Sequence, residues 1–128
     1  MNFAYTILYV KDVNRAVEFY EKAFGLARRF VSETGKYAEM ETGATALAFA
    51  ANNFVRPNFP NGFRENDLSH PPAGIEIAFT TADVPQAFTQ AIQASAARVA
   101  EPKTKPWGQV VSYVRDLDGV LVEIASAM

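Results

Sequence analysis

The feature that most constrains this chain is an order of elements stated twice. The segment YTILYV (residues 5–10) is a run of β-branched, aromatic and aliphatic residues and reads as a strand. Asp12 or Asn14 then offers a helix N-cap. Val13, Ala16, Val17, Tyr20, Ala23 and Phe24 recur at helical i, i+3, i+4 spacing, which predicts a helix over 13–24 with Gly25 as its stop. Strands are expected at 28–32, 37–41 and 44–50, separated by two ETG turn signals. At an offset of 71, from Asp12 to Asp83, the pattern returns. IEIAFT (75–80) is a strand, Asp83 a cap, and Val84, Ala87, Phe88, Ala91 and Ile92 form a second stripe, predicting a helix over 84–95. ARVA (97–100), QVVSYVR (109–115) and GVLVEIA (119–125) supply three more strands. Few letters are shared, so the repeated order carries the inference.

Each half is thus a strand, a helix and three strands, an α+β arrangement. Neither half can bury one face of its sheet alone, so two such units should pair within a single domain spanning 1–128. The first module covers about 2–53, a linker about 54–73 and the second module about 74–126. The stretch from 52 to 74 is rich in proline, asparagine and glycine and is expected to lack regular structure. Phe54, Phe59 and Phe63 are unusual in such a stretch. Two readings stand equally: they plug the end of a sheet, or they wall a ligand cleft.

Composition closes several routes. With 49% apolar and 20% charged residues, the 128-residue chain is an ordinary globular protein. A formal charge of -2 provides no basic field for nucleic acid or anionic lipid. No cysteine is present, which removes disulfides, thiolate nucleophiles and thiolate metal sites together. No run approaches membrane-spanning length, and the N-terminal segment becomes charged too early for a signal peptide, so a cytoplasmic location is expected.

One carboxylate stands out. Glu123 interrupts an otherwise apolar strand that follows the turn of Asp116, Leu117, Asp118 and Gly119. Strand alternation puts Val120, Val122 and Ile124 on one face and Leu121 and Glu123 on the other. Glu76 alternates likewise with Ile75 and Ile77. Carboxylates on such strands need a partner, a proton, an ion or water; Tyr5, Tyr113, Arg115 and the backbone are candidate partners. Trp107, the single tryptophan, stands in KTKPWGQ as an edge plug or a stacking wall for a flat ligand. His70, the single histidine, reads as a surface loop residue, and Arg28, Arg29 and Lys36 as a solvated strand edge. Phosphate loops, nucleophile elbows and metalloprotease signatures are absent.

LYVKDVNRAVEFYEKAFGL and KPWGQVVSYVRDLDGVLVEI resemble the N- and C-terminal signatures of the vicinal oxygen chelate superfamily, which includes glyoxalase I, bleomycin-resistance proteins and extradiol dioxygenases. The resemblance covers nearly the whole chain and includes the duplication. It implies two βαβββ modules whose sheets roll into a cup, with four inward positions for a divalent ion. Those positions fall here on Tyr5, Ala48, Glu76 and Glu123. Neither histidine position of glyoxalase I holds histidine and Ala48 cannot coordinate, so a typical glyoxalase I centre is not expected. Glu76 and Glu123 would hold a divalent cation weakly, or none. The resemblance implies handling of a small organic molecule, through glyoxalase-like lyase or isomerase chemistry at Glu76 and Glu123. The alternative is non-catalytic sequestration of a drug or antibiotic, as in the bleomycin-resistance type. Tyr5, Ala48, Phe54, Phe59, Phe63, Trp107 and Tyr113 would line the ligand site, and the implied assembly is a homodimer.

Overall fold

A computed structural model describes residues 1–128, and both copies of the repeat fold as expected. The first contains β1 (Tyr5–Val10), α1 (Val13–Phe24), β2 (Arg28–Val31), β3 (Tyr37–Met40) and β4 (Ala46–Ala51). The second contains β5 (Glu76–Thr80), α3 (Val84–Gln93), β6 (Ala97–Thr104), β7 (Val110–Arg115) and β8 (Leu121–Ala125), with α2 (Asn52–Val55) between the two sets. The chain divides into two compact units, residues 1–21 with 25–65, and residues 22–24 with 66–128. Each holds a four-stranded mixed sheet, ordered β1-β4-β3-β2 in one and β5-β8-β7-β6 in the other. In both, the first strand runs parallel to the last and the remaining pairs are antiparallel. No helix is long and apolar enough to cross a membrane.

The helices begin and end where local chemistry directs. Asp12 Oδ1 accepts the Arg15 N–H at 3.1 Å, and Asp83 Oδ1 accepts that of Gln86 at 3.1 Å. Gly25 closes α1 at φ 69°, its N–H donating to the Glu21 carbonyl. In the first unit, Val13, Val17 and Tyr20 are buried, and the Tyr20 ring lies 4.9 Å from Phe49 of β4. In the second, Val84, Phe88 and Ala91 of α3 are buried and the helix packs on β6, β7 and β8. Val114, Val122 and Ile124 supply that sheet's buried face, and Ser112 there satisfies its hydroxyl on the Ile124 carbonyl at 2.9 Å.

Three expectations need correction. The stretch after residue 51 is not wholly irregular: Asn52–Val55 forms a helical turn, and Arg56–Asn58 a 3-10 turn with Pro57 in its first turn, where its missing N–H costs nothing. Helix α3 stops at Gln93, two residues early, and Ser95 just beyond it adopts φ 84°. Strand β6 runs on to Thr104, through Pro102. It is an edge strand, and its register shifts between Ala100 and Lys103, so the proline interrupts no ladder.

Candidate functional site

The second unit assembles its polar residues by strand register. Strand β8 lies between β5 and β7, with Tyr113 directly opposite Glu123 and Ala78 beside Glu123 on the other flank. Glu76, two residues before Ala78, therefore emerges on the same face, diagonal to Glu123. Tyr113 donates its hydroxyl to Glu123 Oε2 at 3.3 Å. Glu76 as a whole is exposed, but its carboxyl end is partly desolvated where it meets Glu123. That desolvation, and then the hydrogen bond and charge of Glu123, push the Glu76 carboxyl above the usual carboxylate range. The Tyr113 phenol is raised too, by burial first and then by the two carboxylates. Three strands thus bring two acids and a phenol together on one face.

The turn ahead of β8 fixes where Glu123 stands. Asp116 is buried, and its Oδ1 accepts the N–H groups of Asp118 and Val120, each at 2.9 Å. Gly119 closes the turn at φ 89°, a conformation that L side chains resist. Arg115 is committed elsewhere than to the carboxylates. It donates to the carbonyls of Gly119 at 2.8 Å, Asp67 at 3.1 Å and His70 at 2.7 Å, tying the 67–70 loop to this turn. His70 stays in that exposed loop, its ring 3.2 Å from Ser69 Oγ. Trp107 is 65% exposed at the tip of the β6–β7 hairpin, where its indole N–H donates to Gln109 Oε1 at 2.9 Å. The indole is therefore no edge plug.

In the first unit, Tyr5 and Ala48 lie on the sheet face opposite α1, Tyr5 exposed and Ala48 fully buried. Opposite Ala48, on β3, stands Glu39, a carboxylate that the sequence pattern did not single out. It is 8% exposed, accepts the Tyr37 hydroxyl at 2.8 Å and is paired with Arg29 at 3.2 Å. Burial and the Glu39 hydrogen bond raise the Tyr37 phenol to about 12. Arg29 also grips Glu41 at 2.7 Å, and Arg28 pairs with Glu21 at 2.9 Å. These arginines stand exposed on the edge strand, as expected, and there each grips a carboxylate. The signal available in sequence was the alternation that put Glu39 on the face of Tyr37 and Tyr5. Phe59 and Phe63 pack against Tyr9 with ring centroids 6.1 and 5.1 Å away, while Phe54 is exposed.

The chelate family implies a divalent ion, and the donors present do not suit one. Glu76 and Glu123 offer carboxylate oxygens alone, and no group of three or more His, Asp or Glu side chains gathers around a common point. Zinc and nickel sites need more donors than this.

Comparison with known proteins agrees with the architecture. The family model described as glyoxalase-like domain matches residues 3–128. No curated protein matches the chain. Among solved structures, a glyoxalase-related enzyme from Fulvimarina pelagi superposes with a TM-score of 0.85 at 19% identity, over 99% of this chain and 88% of its own. A protein of unknown function from Agrobacterium tumefaciens gives 0.79 at 24% identity, over 100% and 95%. A glyoxalase/bleomycin resistance protein/dioxygenase family enzyme from Burkholderia phytofirmans gives 0.79 at 15% identity, over the full length of both. At these identities the likeness speaks for the fold. With the family model spanning nearly the whole sequence, the chain belongs to the glyoxalase-like domain family of the vicinal oxygen chelate superfamily.

Proposed function

We propose that the chain acts on a small organic molecule at the open face of the second sheet, moving a proton through the Glu76–Glu123 pair without a metal. The observation that carries this reading is the strand register that sets the two acids diagonally on neighbouring strands, with the Tyr113 hydroxyl on Glu123 and the Glu76 carboxyl raised by desolvation and by its neighbour. A pair in that state offers one acid and one base at the same point, as lyase and isomerase chemistry at an activated carbon requires. Tyr113 orients Glu123, and its raised phenol keeps its proton at neutral pH. The test is hydrogen–deuterium exchange at the activated carbon of a panel of α-hydroxy carbonyl compounds, followed by NMR in chelator-treated buffer. Glu123→Gln keeps the shape but removes the base, so exchange should fall about 100- to 10,000-fold with little change in melting. Undiminished exchange in that variant refutes the role of the pair.

A second reading, binding and sequestration without turnover, has its own support. Glu21, Glu39, Glu41 and Glu65 are each paired with an arginine, whereas no basic side chain reaches Glu76 or Glu123. That uncompensated charge suits a cationic compound, and tight binding with no exchange on any substrate would favour this reading. The proposal extends to a cytoplasmic homodimer as the setting for either activity. Exposed Ile75, Val99 and Trp107 support self-association, which light scattering at micromolar concentration tests.

A further inference from the structure

The second module has a depression on the helix side of its sheet, the reverse of the face that carries Glu76 and Glu123. It is a cavity of about 320 Å³, bordered by the first turn of α3, the end of β6, the start of β7 and Ser126 just past β8. Small-molecule sites begin at about 300 Å³. Strand register fixes which side chains stand there. Ser112 and Val114 are buried beneath α3, so Val110 shares their face, and Thr104, directly opposite Val110, shares it too. Lys103 also borders the cavity, but its register partner is Val111, so its side chain leaves β6 on the other face. Asp83, Pro85 and Thr104 are exposed at the mouth, whereas Val84 is buried and Pro102 and Val110 are half-buried.

The lining is mostly apolar, and its charge is one-sided. Asp83 is the charged side chain that this face presents to the cavity. Its Oδ1 caps α3 by accepting the Gln86 N–H at 3.1 Å, and no basic side chain pairs with the carboxylate. A carboxylate has acceptor capacity beyond one such bond. The helix end offers no anion site of its own, because Asp83 already fills it and Pro85, in the first turn, has no N–H to give. A full negative charge outweighs the roughly half charge of a helix N-terminus, so the mouth of the cavity favours cations.

We propose that this cavity binds a small amphipathic ammonium, with its charge on Asp83 and its hydrocarbon against Val84, Pro85, Pro102 and Val110. The apolar walls supply the contact area and the carboxylate selects the cation. The site is independent of the Glu76–Glu123 pair and of the function proposed for that pair.

The probes are benzylammonium and benzyl alcohol, alike in shape but differing in charge. NMR titration of the ¹⁵N-labelled full chain should show benzylammonium shifting the backbone amides of Asp83, Val84, Thr104 and Val110. It should bind about fivefold more tightly than benzyl alcohol, the scale of one ion pair at an open site. Asp83→Asn removes the charge but remains a good N-cap, so the preference should vanish with α3 intact. The same shifts should persist in Glu123→Gln and Glu76→Gln, where a cation held by the carboxylate pair would lose them. Equal affinities for the two probes in the unaltered chain overturn the proposal. So does a preference that survives Asp83→Asn, or shifts that disappear in Glu123→Gln. Thr104→Trp, at an exposed edge position, fills the cavity and should abolish binding of both probes. Unchanged binding in that variant overturns the proposal even if Asp83→Asn does not fold.

Discussion

Replacing Gly119 by alanine strikes the turn that aims Glu123, and its cost follows from the geometry. The residue sits at φ 89°, and an added Cβ would lie 2.6 Å from Arg115 Nη2 and 2.9 Å from both the carbonyl carbon and oxygen of Asp67. Leaving glycine in a left-handed conformation costs an alanine roughly 1–2 kcal/mol. The contact with Arg115 could be relieved by moving a flexible side chain, but Asp67 presents backbone, so the 67–70 loop must shift. The guanidinium then loses at least one carbonyl bond among those to Asp67 at 3.1 Å and His70 at 2.7 Å. A hydrogen bond to a charged group contributes about 1.5–3 kcal/mol. The sum is roughly 3–5 kcal/mol, or about 10 °C or more of melting temperature for a chain of this size. Urea denaturation with tryptophan fluorescence and a thermal melt measure it. Arg115→Ala in the same background removes one clashing partner, so the two substitutions should be less than additive. A Gly119→Ala melting temperature within about 2 °C of the parent would refute the argument that this turn is locked against the loop.

Two other outcomes are specific. Glu76 has its folded value raised above the unfolded one, so folding takes up a proton between the two values. The stability from this site is fully present below the ordinary glutamate range and is lost as pH rises through the raised value; Glu76→Gln should flatten that part of a melting-temperature-against-pH curve, and an unchanged curve would disprove the shift. In the first module, Arg29→Met leaves the buried Glu39 with the Tyr37 hydroxyl alone and should lower the urea midpoint. Glu39→Gln in that variant should restore most of the loss, and a double-mutant cycle in urea checks it.

Most of the architecture was legible because it is written in periodicities. The stripe from Val13 to Phe24 and the cap at Asp12 specify α1, and the same grammar at Asp83 specifies α3. The DLDG turn was legible as a turn, but not the reason for its first aspartate, whose carboxylate collects two backbone N–H groups. What escaped the sequence depends on neighbours across strands. The strand expected at 97–100 runs on through Pro102 to Thr104, which an edge position allows. The partners of exposed Arg29 were not legible because Glu39 on β3 and Glu41 just past it reach it through a register set by a bulge between Arg28 and Phe30. Asn52 looked like loop, and its side-chain oxygen, buried without a partner, has no sequence signature at all. Glu76 and Glu123 were both placed on the open face by alternation alone, because period-2 geometry needs no partner to be read.

The two modules make one backbone do different work through a single cross-strand pair. In the second module the last strand bears Glu123 and the strand beside it bears Tyr113, directly opposite. In the first module the equivalent pair is Ala48 on the last strand and Glu39 opposite. The acid has moved one strand over, which brings it within 3.2 Å of Arg29 on β2. There its charge is neutralised and it serves as a brace for Tyr37. In the second module β6 sends no cation to the corresponding place: Arg98 pairs with Glu101 and lies over the Phe88 ring of α3, on the other side of the sheet. Glu123 is left with Glu76 and a phenol. An uncompensated carboxylate pair is a standing cost to folding that the first module, with its acid neutralised by Arg29, does not carry.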